Sequence, residues 1–121
     1  IYVPAGLGKV GAVLRSEMAE ATATILIGSG HAGKTYHFTH EEAFSYQDVA
    51  ELLSEIFGKT IAYHSPTAEE YAQTLTGYGV PAEFIGLFSS FAVAQANGEL
   101  DTVGSDLALL LGRKPTTVKT F

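Results

Sequence analysis

Gly28-Ser29-Gly30-His31-Ala32-Gly33-Lys34-Thr35 is the stretch on which the fold turns. Letter for letter it satisfies the phosphate-loop pattern G-x-x-x-x-G-K-[ST], and Thr24-Ile25-Leu26-Ile27 before it has the character of a feeding strand. In a working phosphate loop the Lys opens a helix, its ammonium reaches the β- and γ-phosphates, and the hydroxyl holds magnesium. Here Lys34 leads into Thr35-Tyr36-His37-Phe38-Thr39, where Tyr36 and Phe38 alternate with Thr35, His37 and Thr39. That alternation predicts a strand. The next helix cap is Ser45, too far on, and no apolar strand ending in Asp supplies a second magnesium ligand. The stretch reads as a glycine-rich loop between a helix and a strand. A nucleotide binder acting through Gly28–Thr35 is the remote alternative.

Working outward toward the start, Ser16 is placed to cap a helix whose first turn carries Glu17, an acid suited to the positive end of the helix dipole. Met18, Ala21 or Thr22, Ile25 and Leu26 give its apolar stripe, and Gly28 and Gly30 end it. Lys9 to Arg15 is a candidate strand with Val10, Ala12 and Leu14 on one face, and Ile1 to Gly8 reads as a loop. Toward the end, Ser45 caps the clearest helix of the sequence, with Tyr46, Val49, Leu52, Leu53 and Ile56 on one side and Gly58 as its stop. Ile61 and Tyr63 mark a third short strand. Ser65-Pro66 turns the chain, and Thr67-Ala68-Glu69-Glu70 is a capping-box signature for a helix to about Thr76. Pro81 suits the first position of the next helix, which carries Phe84, Leu87, Phe88 and Phe91 and closes at Gly98. A short helix with Leu107, Leu110 and Leu111 ends at Gly112. The expected class is α+β, with three short strands and five to six helices. Three short strands make a poor sheet alone.

The chain has 121 residues, 46% of them hydrophobic and 17% charged, which reads as one globular unit over 1–121. Its net charge of −6 leaves no basic stripe for phosphates, so nucleic acid is excluded as a partner. Apolar runs stay far below the roughly 18 residues that cross a bilayer. The absence of cysteine removes disulfides, thiolate metal sites and a Cys nucleophile, and fits the cytoplasm. The chain starts at Ile1, and Thr116 to Phe121 reads as the opening of another helix, so a longer parent is expected.

Other candidate chemistry is thin. Gly6-Leu7-Gly8-Lys9-Val10-Gly11 matches the dinucleotide pattern G-x-G-x-x-G, but Pro4 interrupts the strand that should feed it and no acidic residue closes the next strand to hold a ribose. The bland reading, glycines in a loop before a strand, is preferred. His37 and His40 with Glu41 imitate metal ligands, yet on a strand the two histidines face opposite ways. No Ser-His-Asp set assembles, and no tyrosine has a lysine four residues on. Phe84, Phe88 and Phe91 are left as the candidate substrate-pocket or interface residues. No catalytic, metal or cofactor-binding residue is assigned.

The order of the segments carries a resemblance. Lys9 to Ala21 resembles the strand, Arg and acid-opened Ala-rich helix of the NmrA-like atypical short-chain dehydrogenases, closest to the bacterial NAD(P)H:quinone oxidoreductase type 2 branch. Gly33-Lys34-Thr35-Tyr36-His37-Phe38-Thr39 is similar to that family's Gly-Lys-x-Tyr-x-Leu-Thr strand. Ser45 to Gly58 resembles the helix after it, Gly58-Lys59 its Gly-Lys stop, and Ser65 to Tyr71 its Ser-x-x-Glu-Tyr segment. Leu111 to Thr117 resembles the closing Gly-Arg-x-Pro-Thr-Thr motif. At Ser16-Glu17 the sequence departs from the Asp that often opens the helix, so Arg15 receives no catalytic role.

The resemblance implies the C-terminal half of a Rossmann-type reductase, its substrate-side lobe, with the dinucleotide-binding half outside these residues. The parent would use NAD(P)H to reduce quinones or similar small-molecule acceptors, while this piece alone would hold no cofactor and be inactive. The alternative is an NmrA-like regulator that senses NAD(P) without turnover. The missing half is the expected partner, and exposure of the Phe84/Phe88 face implies self-association of the isolated chain.

Overall fold

The computed structural model describes residues 1–121. In chain order its elements are β1 (Lys9–Val10), α1 (Arg15–Ile27), β2 (Phe44–Ser45), α2 (Tyr46–Phe57), α3 (Ala68–Gly77), α4 (Ala82–Ala96) and α5 (Asp106–Leu111). The chain packs as two compact units, each built from two stretches. The first holds Ile1–Val10 with Phe44–Asp101, the second Gly11–Ala43 with Thr102–Phe121.

In the first unit β1 and β2 pair antiparallel, Lys9 opposite Ser45 and Val10 opposite Phe44. The ladder is short because Ser45 is at once the end of β2 and the cap of α2. Its hydroxyl accepts from the Asp48 N–H at 3.1 Å, while the Asp48 carboxylate accepts from the Ser45 N–H at 2.7 Å. That N–H holds the Asp48 carboxyl below its ordinary value, helped by the Ser45 hydroxyl and, against the cost of burial, by the charge of Lys9. Gly58, at φ 62°, supplies the left-handed stop. Ser45 is buried. Replacing it with Ala is expected to cost about 1–2 kcal/mol in urea unfolding, the upper range for a cap. Thr67 and Glu70 repeat the capping box at α3. Pro81 caps α4 from outside instead of occupying its first turn, its carbonyl accepting from the Phe84 and Ile85 N–H groups. The inward face of α4 carries Ile85, Ala92 and Gln95, and α4 packs against α3 and β1.

Two of the three expected strands are corrected by where the backbone hydrogen bonds go. At Ile61 the N–H donates to the Ser54 hydroxyl at 2.8 Å, so a side chain takes the bond a ladder would need. Only an isolated parallel bridge, Tyr2 with His64, forms nearby. Thr35 to Thr39 makes no ladder either. The His37 N–H donates to the Asp106 carboxylate at 2.9 Å, and the Thr39 N–H turns back to the His37 carbonyl at 3.1 Å. The remaining strand is shorter than Lys9–Arg15: past Val10 the ladder stops, with only the Gly11 carbonyl accepting from the His40 N–H at 3.1 Å, and α1 begins at Arg15. Leu14 is the N-cap of α1, and Ser16 lies inside the helix.

The second unit packs α1 against α5. Ala21 and Leu107 are fully buried between them, and Gly112 ends α5 at φ 66°. The five helices fall within the expected count; the sheet has two strands, not three. No helix is long and apolar enough to cross a membrane.

Candidate functional site

The feature of the first unit that asks for an occupant is one side of α4. Phe84, Leu87, Phe88 and Phe91 recur at helical spacing and project from one stripe. They are not core: their exposures are 47%, 47%, 46% and 59%. The neighbouring stripe, with Ile85 8% and Ala92 6% exposed, is the one that packs inward. Phe84 and Phe88 stack with ring centroids 6.2 Å apart and planes at 26°. Past the strip, the buried Gln95 donates its amide to the Gly8 carbonyl at 2.9 Å. The strip offers apolar area and aromatic faces and no outward donor: the Ser90 hydroxyl beside it donates to the Leu87 carbonyl. Such a surface positions a planar apolar group or another polypeptide and contributes no acid, base or nucleophile.

A second concavity, an open cleft of about 440 Å³, lies at the far end of α4 between Lys9 and Asp101. It gathers one ammonium, one carboxylate and the Asn97 amide, without a set of groups converging on a point.

The two glycine-rich matches have other physical explanations. A Cβ on Gly8 would sit 1.9 Å from the Gln95 carbonyl oxygen, and one on Gly11 would sit 2.4 Å from the Thr102 carbonyl oxygen. These glycines let backbones touch. Gly28 to Thr35 comes after the C-terminal end of α1, where carbonyls and not N–H groups face outward. No helix begins at Gly33, and the His31 imidazole bonds to the Tyr36 hydroxyl at 2.7 Å across the loop. His37 and His40 are not brought together as ligands: His37 is exposed, while His40 is buried and its Nδ1 accepts from the Glu42 N–H.

In the second unit the structure builds a charged anchor that sequence reading missed. Glu17, 3% exposed on α1, accepts at Oε1 from Arg113 Nη1 at 2.7 Å, from the Thr116 N–H at 2.9 Å and from the Thr116 hydroxyl at 2.8 Å. Arg113 also reaches Glu20 at 2.7 Å. Burial pushes the Glu17 carboxyl up, but the bonds from Arg113 and Thr116 outweigh it and hold the carboxyl below its ordinary range. The signal was present as Glu17 and the Arg113-x-x-Thr116 spacing, read separately as a dipole partner and a closing motif. Its work is to fasten the closing segment to α1, not chemistry.

No family model matches the chain. Quinone oxidoreductase 2 of Escherichia coli is 27% identical over 114 residues, which are 94% of this chain and 40% of that protein. Its solved structure with NADPH superposes with a TM-score of 0.93. The NAD(P)H azoreductase of Xenophilus azovorans is 32% identical across 84% of this chain and 37% of its own length. The triphenylmethane reductase of Citrobacter sp., solved with NADP(H), superposes on 98% of this chain with a TM-score of 0.93 at 33% identity, the match taking up 41% of that protein. The chain thus spans about two fifths of the relatives it matches. The resemblance read in the sequence holds: the relatives are NmrA-like reductases of the quinone oxidoreductase 2 kind, and the fold neighbours are Rossmann-like NAD(P)-binding proteins.

Proposed function

We propose, from the kinship with NmrA-like quinone oxidoreductases, that these residues form the acceptor-side lobe of an NAD(P)H-dependent oxidoreductase acting on quinones or similar planar acceptors in the cytoplasm. The supporting observation is that nearly the whole chain superposes on part of a reductase solved with NADP(H). In this reading the cofactor is held by residues outside these 121, in the part of the relatives that the chain does not span. The bound nicotinamide supplies the hydride. Within this chain, Phe84, Phe88 and Phe91 line the acceptor side or the contact with the remaining half, and their part is to position a planar group and exclude water.

The test is steady-state NADPH oxidation with a simple benzoquinone. The whole protein is expected to turn over, and the isolated 121 residues are expected neither to bind NADPH nor to react. A whole protein that binds NADPH without turnover would replace this reading with the NAD(P)-sensing regulator, which no observation on this chain favours.

The uncovered strip of α4 carries a second expectation, self-association of the isolated chain. Because the first unit holds eight carboxylates against Lys9 and Lys59, association should strengthen as salt screens the repulsion. Sedimentation at micromolar concentration reads it directly. Phe88→Asp is expected to give a monomer and to cost about 1–2 kcal/mol in unfolding, since half of the side chain is buried and its ring stacks on Phe84. A wild-type chain that stays monomeric in high salt would show that the strip does not join copies.

A further inference from the structure

We propose that Asn97 is a modification site: it loses its side-chain amide by attack of the Gly98 nitrogen, and local opening of the turn that ends α4 sets the rate. Quinone turnover takes no part in this chemistry, so the two readings stand or fall on separate measurements.

Asn97 is the only asparagine of the chain, and a glycine follows it. With no Cβ, Gly98 leaves its nitrogen unhindered on approach to the preceding carboxamide. In the reaction the deprotonated Gly98 nitrogen bonds to Asn97 Cγ, the Cγ–Nδ2 bond breaks, and ammonia leaves. Water then opens the cyclic imide. Opening at Cγ leaves an aspartate. Opening at the main-chain carbonyl leaves an isoaspartate, whose backbone is one methylene longer.

The folded turn keeps the two reacting atoms apart. Asn97 is the C-cap of α4, and Gly98 behind it is left-handed at φ 77°. The Gly98 N–H donates to the Gln95 carbonyl and the Glu99 N–H to the Ala94 carbonyl, each at 3.0 Å. These are the paired bonds of a Schellman turn. With ψ −2° at Asn97, the Gly98 nitrogen eclipses the Asn97 nitrogen and not Cβ, so it is turned away from the carboxamide carbon. Attack requires it to leave Gln95 and swing round. The carboxamide is far less restrained: Asn97 is exposed, lines the open cleft beside Lys9, and donates to the Glu99 carboxylate only at a long 3.4 Å. Opening this turn breaks two backbone bonds, whereas unfolding the unit breaks all of them, so the turn opens more often.

The change runs one way because neither product restores the turn. Each puts a carboxylate at the negative end of α4, beside Glu99. The longer backbone of the isoaspartate also moves the Gly98 and Glu99 N–H groups off their carbonyls. Gln95, whose carbonyl is one of those acceptors, holds the Gly8 carbonyl by its side chain, so the loss reaches the crossing of α4 with β1.

Peptide mapping by mass spectrometry reads the reaction on the 121-residue chain incubated in mildly alkaline buffer, with and without denaturing urea. Isoaspartate is scored with an isoaspartate methyltransferase. Conversion is expected at Asn97 in both states, isoaspartate in excess, with the folded rate about tenfold or more below the unfolded one. Asn97→Gln should abolish it. Gly98→Ala slows the attack itself but strains the left-handed turn, so the ratio of folded to unfolded rate should rise about fivefold. In sub-denaturing urea the folded rate should stay nearly flat, because opening one turn exposes little surface. Equal rates in the two states, no conversion of the folded chain, or conversion that survives Asn97→Gln overturns the proposal. So does a Gly98→Ala ratio equal to wild type, or a folded rate that climbs with urea as steeply as global unfolding.

Discussion

Gly8→Ala is expected to lower the stability of the chain by about 3 kcal/mol, the largest loss from any single added methyl group, seen as a fall in the urea midpoint without change in slope. The added Cβ would lie 1.9 Å from the Gln95 carbonyl oxygen and 2.9 Å from the Ala96 Cα, so backbone must move and no side-chain rotation relieves it. Movement there strains β1, which begins at the next residue, and breaks the Gln95 amide bond to the Gly8 carbonyl. Gly86 provides the opposite case. It lies within α4 with nothing inside 4 Å of its Cβ position, so Gly86→Ala is expected to stabilise by about 0.5–1 kcal/mol through helix propensity alone. If Gly8→Ala were neutral, the close crossing of β1 and α4 would be absent in solution.

The contrast between those two glycines shows what the sequence could and could not convey. A glycine within a run of helix formers is visible as a weak point in a periodic pattern. A glycine that lets two backbones meet 87 residues apart in the chain, as Gly8 does with Gln95, carries no local mark of it. The helices were legible for the same reason: Ser45 with Asp48, Thr67 with Glu70, Gly58 and Gly112 are decisions made within a few residues of one another. The strands were not, because a strand depends on where its N–H groups find acceptors. Alternation at Thr35–Thr39 is real, but Asp106 takes the His37 N–H and the ladder never forms. The aromatic strip of α4 lies between these cases. Its residues were readable; their half exposure depends on what packs against α4, which periodicity does not encode.

Glu17 shows the same limit with greater energetic consequence, and its removal is the second large effect expected. Glu17→Ala should cost about 3 kcal/mol: it strips the Thr116 N–H and hydroxyl of their shared acceptor and opens space beneath α1. Arg113→Ala should cost less. Breaking a buried pair ordinarily costs more, but the Arg113 side chain is 46% exposed and solvent screens much of its charge. The pH dependence separates a charged anchor from mere packing. The Glu17 carboxyl sits below its ordinary value in the folded chain, so the stabilisation is complete above the unfolded value, about 4.3. It is lost as the pH falls through the folded value. Glu17→Gln keeps the volume and removes the charge, so its deficit against wild type should be constant near neutrality and shrink in acid. A deficit unchanged with pH would mean that the fold does not favour the charged carboxylate, because the bonds from Arg113 and from Thr116 both act on the charged form. Glu17 would then hold the closing segment against α1 by its packing and by hydrogen bonds that the glutamine cannot reproduce, and not by its charge.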